Sequence, residues 1–388
     1  MKHGRGPSPS HIGLFVFPKI AYNKTLFLEG MKTQKRARFL IFLFICLAGV
    51  STSWAAVESQ NPKISLKDSL GRVISIPAKT DRILSLQPEI TRIIVALGAG
   101  ERLVGIDDFL RRDDHLFKII FPQESRLPLV SKPDDSVNKE LVARLNPDVI
   151  FASPSEFQAP DSIQRNLGIP VIALASLGRF ENLFEEIELV GALTGLNERA
   201  QELVTYFKEK TKAVSDAVAA VPLEKKPKIY LAFWSSLSRT PVFYEPVNAA
   251  GGINLAENLL PASLGSVQTV VTLEQIIKWD PDIILIHGNF LPKERMVTVN
   301  QVLEDNRLSS VKAVKNKQVY YTFGFWYWWD PAEVLAETLY LAGLFYPEKF
   351  SRFDLAGEGP EIFKEFYGAE DAFSALSKVL NLNEWTRR

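Results

Sequence analysis

Two twelve-residue stretches decide how this chain is read: Glu140-Leu-Val-Ala-Arg-Leu-Asn-Pro-Asp148-Val-Ile-Phe151 and Glu274-Gln-Ile-Ile-Lys-Trp-Asp-Pro-Asp282-Ile-Ile-Leu285. Each predicts a short helix opening on a glutamate, a proline that cannot continue it, and a buried strand. One such junction is common in proteins. Two, each in the corresponding place of its own block, predict two halves of similar build.

Working outward from the first, Ile64–Leu66 and Val73–Ile76 alternate apolar with polar around a turn at Asp68–Gly71, the pattern of a hairpin. Short apolar strands at 83–86, 103–106, 148–152 and 170–175 then alternate with helical stretches. Around the second, strands at 228–233, 282–286 and 319–321 repeat the rhythm, with a helix over 331–344. This βαβ alternation predicts mainly parallel sheets with helices on both faces. Between the blocks lies helix without strand: 181–193, ended by Gly195, then 197–220, capped by Asn197, with Ala200, Leu203, Val204, Phe207, Val214 and Val218 on one stripe. The fold class expected is α/β, two lobes of mainly parallel sheet flanked by helices and joined by one long rigid helix. The N-terminal lobe occupies 57–178, the helical connector 179–225, and the C-terminal lobe, with its terminal helices, 226–388.

Ahead of these, Met31 is followed by Lys32, Lys35, Arg36 and Arg38, by the apolar run Phe39–Val50, and by Ser53-Trp54-Ala55. A basic head, about a dozen apolar residues and small residues two apart are the marks of a secretory signal peptide. The run is too short for the roughly 30 Å of a bilayer core. Residues 31–56 are therefore read as a signal, cut near Ala55, and residues 1–30 as an upstream extension or a misassigned start. Cys46, the sole cysteine, follows Ile45 rather than a small residue, which argues against lipidation. The exported part then has no thiol for disulfides, nucleophilic catalysis or metal binding. The expected compartment is the periplasm.

The 45 Lys+Arg balance 45 Asp+Glu, so no global field points to nucleic acid. The chain contains no Walker loop, no GxSxG, no HExxH and no dinucleotide fingerprint, and no catalytic residue is assigned. Only His115 and His287 fall beyond the signal, which disfavours a bare metal held by several imidazoles.

Ligands of open α/β sheets gather beyond the carboxyl ends of strands. On that rule the first lobe offers Asp108, Arg111, Arg112, Ser136 and Ser153, and the second offers Trp234, His287 and the run Trp326-Tyr327-Trp328-Trp329. Three of the seven Trp fall in that four-residue run, more than strand or helix periodicity would bury, so rings are expected at a cleft. Arg111 and Arg112 can clamp an anionic ligand or form a solvated cluster with Asp113 and Asp114. His287 can be a ligand contact or a hydrogen-bonded neutral residue.

Asp68-Ser-Leu-Gly-Arg-Val73, Arg82-Ile-Leu-Ser-Leu86 with Pro88-Glu89, Leu97-Gly98, Leu103-Val-Gly105, both Glu…Pro-Asp stretches and the linking helix stand in order over about 280 residues. Together they resemble the solute-binding proteins of ABC importers for ferric siderophores, haem and cobalamin, the helical-backbone class. The resemblance implies a monomeric receptor without cofactor, whose small-molecule ligand contains iron. It also implies a partner, a permease dimer in the inner membrane with its cytoplasmic ATPase. Two glutamates, Glu140 and Glu274, would dock on that permease, and Trp234 with Trp326–Trp329 would supply the aromatic pocket. Cobalamin receptors place a Trp where this chain has Asp134, which argues against cobalamin itself. Within the same resemblance, oxyanion, haem and corrinoid receptors stay open as alternatives, and an exported enzyme is a more distant one.

Overall fold

The computed structural model describes residues 62–131, 136–154, 159–174, 178–262, 268–324, 329–351 and 355–385. The segments read as an upstream extension and signal lie outside these residues, as do Asp134, Trp326, Tyr327 and Trp328.

Strands β1 (Lys63–Lys67) and β2 (Val73–Pro77) form the expected antiparallel hairpin, with Ile64 opposite Ile76. Its turn is held by Asp68, whose carboxylate accepts the backbone N–H of Leu70 and of Arg72, and by Gly71 in the left-handed region at φ 78°. Four parallel strands follow: β3 (Ile83–Ser85), β4 (Leu103–Ile106), β5 (Val149–Ala152) and β6 (Val171–Ala173), in the order β4-β3-β5-β6. Strands β3, β5 and β6 are buried throughout, as apolar strands covered on both faces must be.

The later part of the chain holds β7 (Lys228–Ala232), β8 (Arg239–Pro241), β9 (Ile253–Asn254), β10 (Gln268–Val270), β11 (Ile283–His287) and β12 (Val319–Thr322). A second, separate parallel sheet runs β12-β11-β7-β9. The antiparallel pair β8–β10 had no signal in the sequence. Three residues per strand are too few for alternation to show.

The two echoing stretches owe their likeness to one repeated device. Helix Lys139–Leu145 begins at Asn138, whose side chain accepts the Leu141 N–H, and helix Leu273–Trp279 begins at Thr272, which accepts from Gln275. These caps set both helix starts one residue ahead of the glutamates, at Lys139 and Leu273. Each ends on a left-handed residue, Asn146 at φ 44° and Asp280 at φ 46°, before the proline. The following aspartate then ties the new strand to its neighbour. Asp148 accepts the N–H groups of Asp81 and Arg82, each at 2.9 Å, and Asp282 accepts that of Lys228, also at 2.9 Å.

The connector is helix Phe180–Thr194, closed by Gly195, and helix Asn197–Val218. At about 1.5 Å per residue the second spans roughly 33 Å. Asn197 is its first helical residue and not its cap; Leu196 holds the cap position without a side-chain bond. Phe180, Phe184 and Phe207 pack edge to face, with centroids 5.0 and 5.1 Å apart. Lys210 bonds Glu358 at 3.0 Å and Arg199 pairs with Glu365, which fastens the long helix to helix Leu355–Tyr367.

Candidate functional site

In the second sheet, β7, β11 and β12 release the chain at adjacent carboxyl ends, and an aromatic group forms there. After β7 come Phe233 and Trp234, the latter half-buried with its backbone in the left-handed region at φ 55°. A bulky residue held there costs about 1–3 kcal/mol, and such strain concentrates at functional sites. His287 ends β11, fully buried, between Phe233 (stacked, 5.5 Å between centroids, planes nearly parallel) and Phe290 (4.8 Å). Burial pulls its pKa down to about 3, so the imidazole is neutral. Neither ring nitrogen has a hydrogen-bond partner among the described residues. Beyond β12, Gly324 lies against this ring: an added Cβ would meet the imidazole at 2.6 Å, and φ is 64°. The Arg239 guanidinium stands 5.5 Å from the Trp234 ring.

Trp329 is a correction to the reading of the whole Trp326–Trp329 run as ligand-facing. It is fully buried and stacks on Phe180 of the connector, with centroids 5.8 Å apart. Trp326, Tyr327 and Trp328 lie outside the described residues.

The first-lobe guanidiniums resolve toward the charge cluster. Arg111 donates to the Glu124 carboxylate at 2.9 Å and to the carbonyls of Glu124 and Leu127, each at 2.6 Å. Arg112 pairs with Asp108 at 2.5 Å and with Asp113 at 2.9 Å. Both cations are thus neutralised within their own lobe, and Asp108 is occupied as the partner of Arg112. Ser136 is exposed, and Ser153 is half-buried just beyond β5. Among the described residues no group of His, Asp and Glu is arranged to hold a bare metal ion. Glu140 and Glu274 are exposed in the first turns of the twin helices. Backbone hydrogen bonding at its own position, then Thr272, lowers the pKa of Glu274 and keeps it charged.

Sequence reasoning missed a buried ion cluster centred on one guanidinium. Arg92, 2% exposed on helix Pro88–Ala96, makes a two-pronged bond to Asp114, with Nε–Oδ2 2.8 Å and Nη2–Oδ1 2.7 Å. Its remaining Nη1 reaches Glu333 at 3.4 Å and Asp330 at 3.6 Å. Those two residues open helix Pro331–Phe345 beyond β12, while Arg92 and Asp114 follow β3 and β4. Asp330 caps its helix through the Glu333 N–H and also accepts from the Tyr367 hydroxyl. Asn289 donates to Glu333 at 3.2 Å. One turn on, Glu337 accepts from the Tyr244 hydroxyl and from the Gly324 N–H. A signal existed: Glu333 and Glu337 are the only charges on an otherwise apolar fifteen-residue helix.

Set beside known proteins, residues 83–323 match the family model described as periplasmic binding protein. The chain belongs to the periplasmic binding protein family. Among relatives, the molybdate-binding protein MolA of Haemophilus influenzae is 26% identical over 358 residues, covering 84% of this chain and 95% of that one. A vitamin B12-binding protein of Vibrio cholerae is 24% identical over 259 residues, covering 64% and 83%. The solved structure of MolA bound to molybdate superposes with TM-score 0.66 at 23% identity, covering 79% of this chain and 98% of that one, which shows the fold. This periplasmic binding protein accordingly shares the two-lobed α/β architecture of its neighbours, as expected. Among its described residues no helix is long and apolar enough to cross a membrane.

Proposed function

We propose that this substrate-binding protein serves an ABC importer and that its cargo is a ferric chelate of the siderophore type. The reading rests on one contrast in the candidate site. The carboxyl end of the second sheet is built from aromatic rings and a neutral imidazole, whereas Arg92, Arg111 and Arg112 are each engaged by carboxylates of this chain. A small oxyanion needs uncommitted donors or cations. A metal wrapped in an organic chelator presents flat apolar and aromatic surface, which rings bind by stacking. The strained backbone of Trp234 supports taking that ring as a principal contact. The imported ligand brings the iron, and the protein itself carries no cofactor.

A second reading, an oxyanion receptor, is supported by the likeness to the molybdate-binding relative over 95% of its length. Native mass spectrometry of protein purified from the periplasm separates the two. An organic adduct of several hundred daltons that carries iron is expected. A bare oxyanion mass would overturn the chelate reading and leave the receptor reading intact.

Delivery is assigned to Glu140 and Glu274, two exposed carboxylates on equivalent helices of a stiff body. Replacing both by Ala should leave ligand affinity within about twofold, since both are exposed in the first turns of their helices, while slowing uptake by whole cells about tenfold or more, as lost interfacial charge pairs do. Unchanged uptake in the double variant would remove the assignment.

A further inference from the structure

We propose that the ion cluster around Arg92 is a clasp between the two lobes, and that a proton carried by Glu333 is what keeps it shut. The clasp joins elements of both sheets: Arg92 and Asp114 come from the first, and Asp330, Glu333 and Asn289 from the second. Among the described residues one guanidinium faces three carboxyl groups, all buried. A buried site cannot hold that surplus of negative charge, so one carboxyl must be neutral.

The bonds identify which one. Asp114 takes the two short guanidinium bonds and also accepts the Phe117 N–H. Asp330 is served by the Glu333 N–H and the Tyr367 hydroxyl as well as by Arg92. Among the described residues the Glu333 carboxyl has only Asn289 and the long 3.4 Å contact to Arg92, and its buried Oε1 has no partner there. It is the carboxyl least able to carry charge. Burial accordingly pushes Glu333 up to about 8, with Arg92 opposing and Asp330 and Asp114 adding to the rise. Of the other titratable groups nearby, burial raises Glu337, Tyr244 and Tyr367 above their ordinary values, and it pushes Glu89, on the same helix as Arg92, up to about 8 as well, so the comparison with Glu333→Gln is what isolates Glu333. Losing the Glu333 proton would place a second uncompensated charge in the buried cluster, beside Asp330 in its own lobe and facing Asp114 across the lobe boundary. The elements that can separate to let water in are the two lobes.

Spin labels on Ala143→Cys and Lys278→Cys, one exposed helix position in each lobe, report lobe separation in a Cys46→Ser background. At pH 6.5 a single distance is expected. At pH 9 a second, longer distance should appear and should vanish again on return to pH 6.5. Glu333→Gln, which keeps the shape and removes the titration, should show the single distance at both values. The thermal midpoint gives an independent readout. A carboxyl raised from 4.5 to about 8 holds more protons folded than unfolded, so its contribution is whole below about pH 4.5 and is lost as pH climbs toward 8. Glu333→Gln should flatten that decline. One unchanged distance in the unsubstituted chain from pH 6.5 to 9, or a pH response in Glu333→Gln equal to that of the parent, overturns the clasp. Neither result bears on which ligand is carried.

Discussion

Replacing Arg92 by Ala is expected to destabilise the protein by about 3–5 kcal/mol, the range for removing one partner of a buried ion pair. The guanidinium is the sole cation among the described residues facing Asp114, Asp330 and Glu333. Burial works against its charge, and Asp114, Glu333 and Asp330 together outweigh that penalty, so its pKa lies above the ordinary value. Without it those acids face one another, and the cap that starts helix Pro331–Phe345 is left beside uncompensated charge. Urea unfolding at pH 7 measures the loss. Arg92→Lys should recover only part of it, since an ammonium cannot make the two-pronged bond to Asp114. A loss below about 1 kcal/mol in Arg92→Ala, the scale of an exposed pair, would show the cluster to be solvated.

Trp329→Ala is expected to cost about 3–5 kcal/mol as well, by a different mechanism. The ring is fully buried against Phe180, so truncation leaves a cavity between the connector and the second lobe. Its sequence neighbours in the Trp326–Trp329 run give no warning of this. Thermal unfolding should therefore shift downward in Trp329→Ala, while ligand affinity measured well below the new midpoint stays close to that of the parent. Full stability with lost ligand binding would return Trp329 to the cleft.

These two residues also show where the chain's reading from sequence ends. The twin junctions were legible because their signals are local. Asn146-Pro147 and Asp280-Pro281 combine a residue tolerant of the left-handed region with one that cannot continue a helix, and the capping residues Asn138 and Thr272 lie within three positions of the groups they serve. Buried strands such as Val149–Ala152 declared themselves by continuous apolar character. Which ring of a four-residue aromatic run turns inward is decided by Phe180 on a distant helix, and no periodicity carries that information. Arg92 is starker still, since its Glu333 partner lies 241 residues away. Arg111 and Arg112 were readable as charges, but their commitment to Glu124, Asp108 and Asp113 emerges only once the first lobe is folded.

The account stands on a ring-lined site in the second lobe that takes a metal wrapped in organic chelator. Isothermal titration of the purified protein tests this most directly, run in parallel with a ferric siderophore, haem, cyanocobalamin and molybdate. Saturable binding of one ferric chelate per chain is expected, lost at least tenfold in Trp234→Ala, with no saturation by molybdate at the same concentrations. Saturation by molybdate alone, unaffected by Trp234→Ala, would contradict the account.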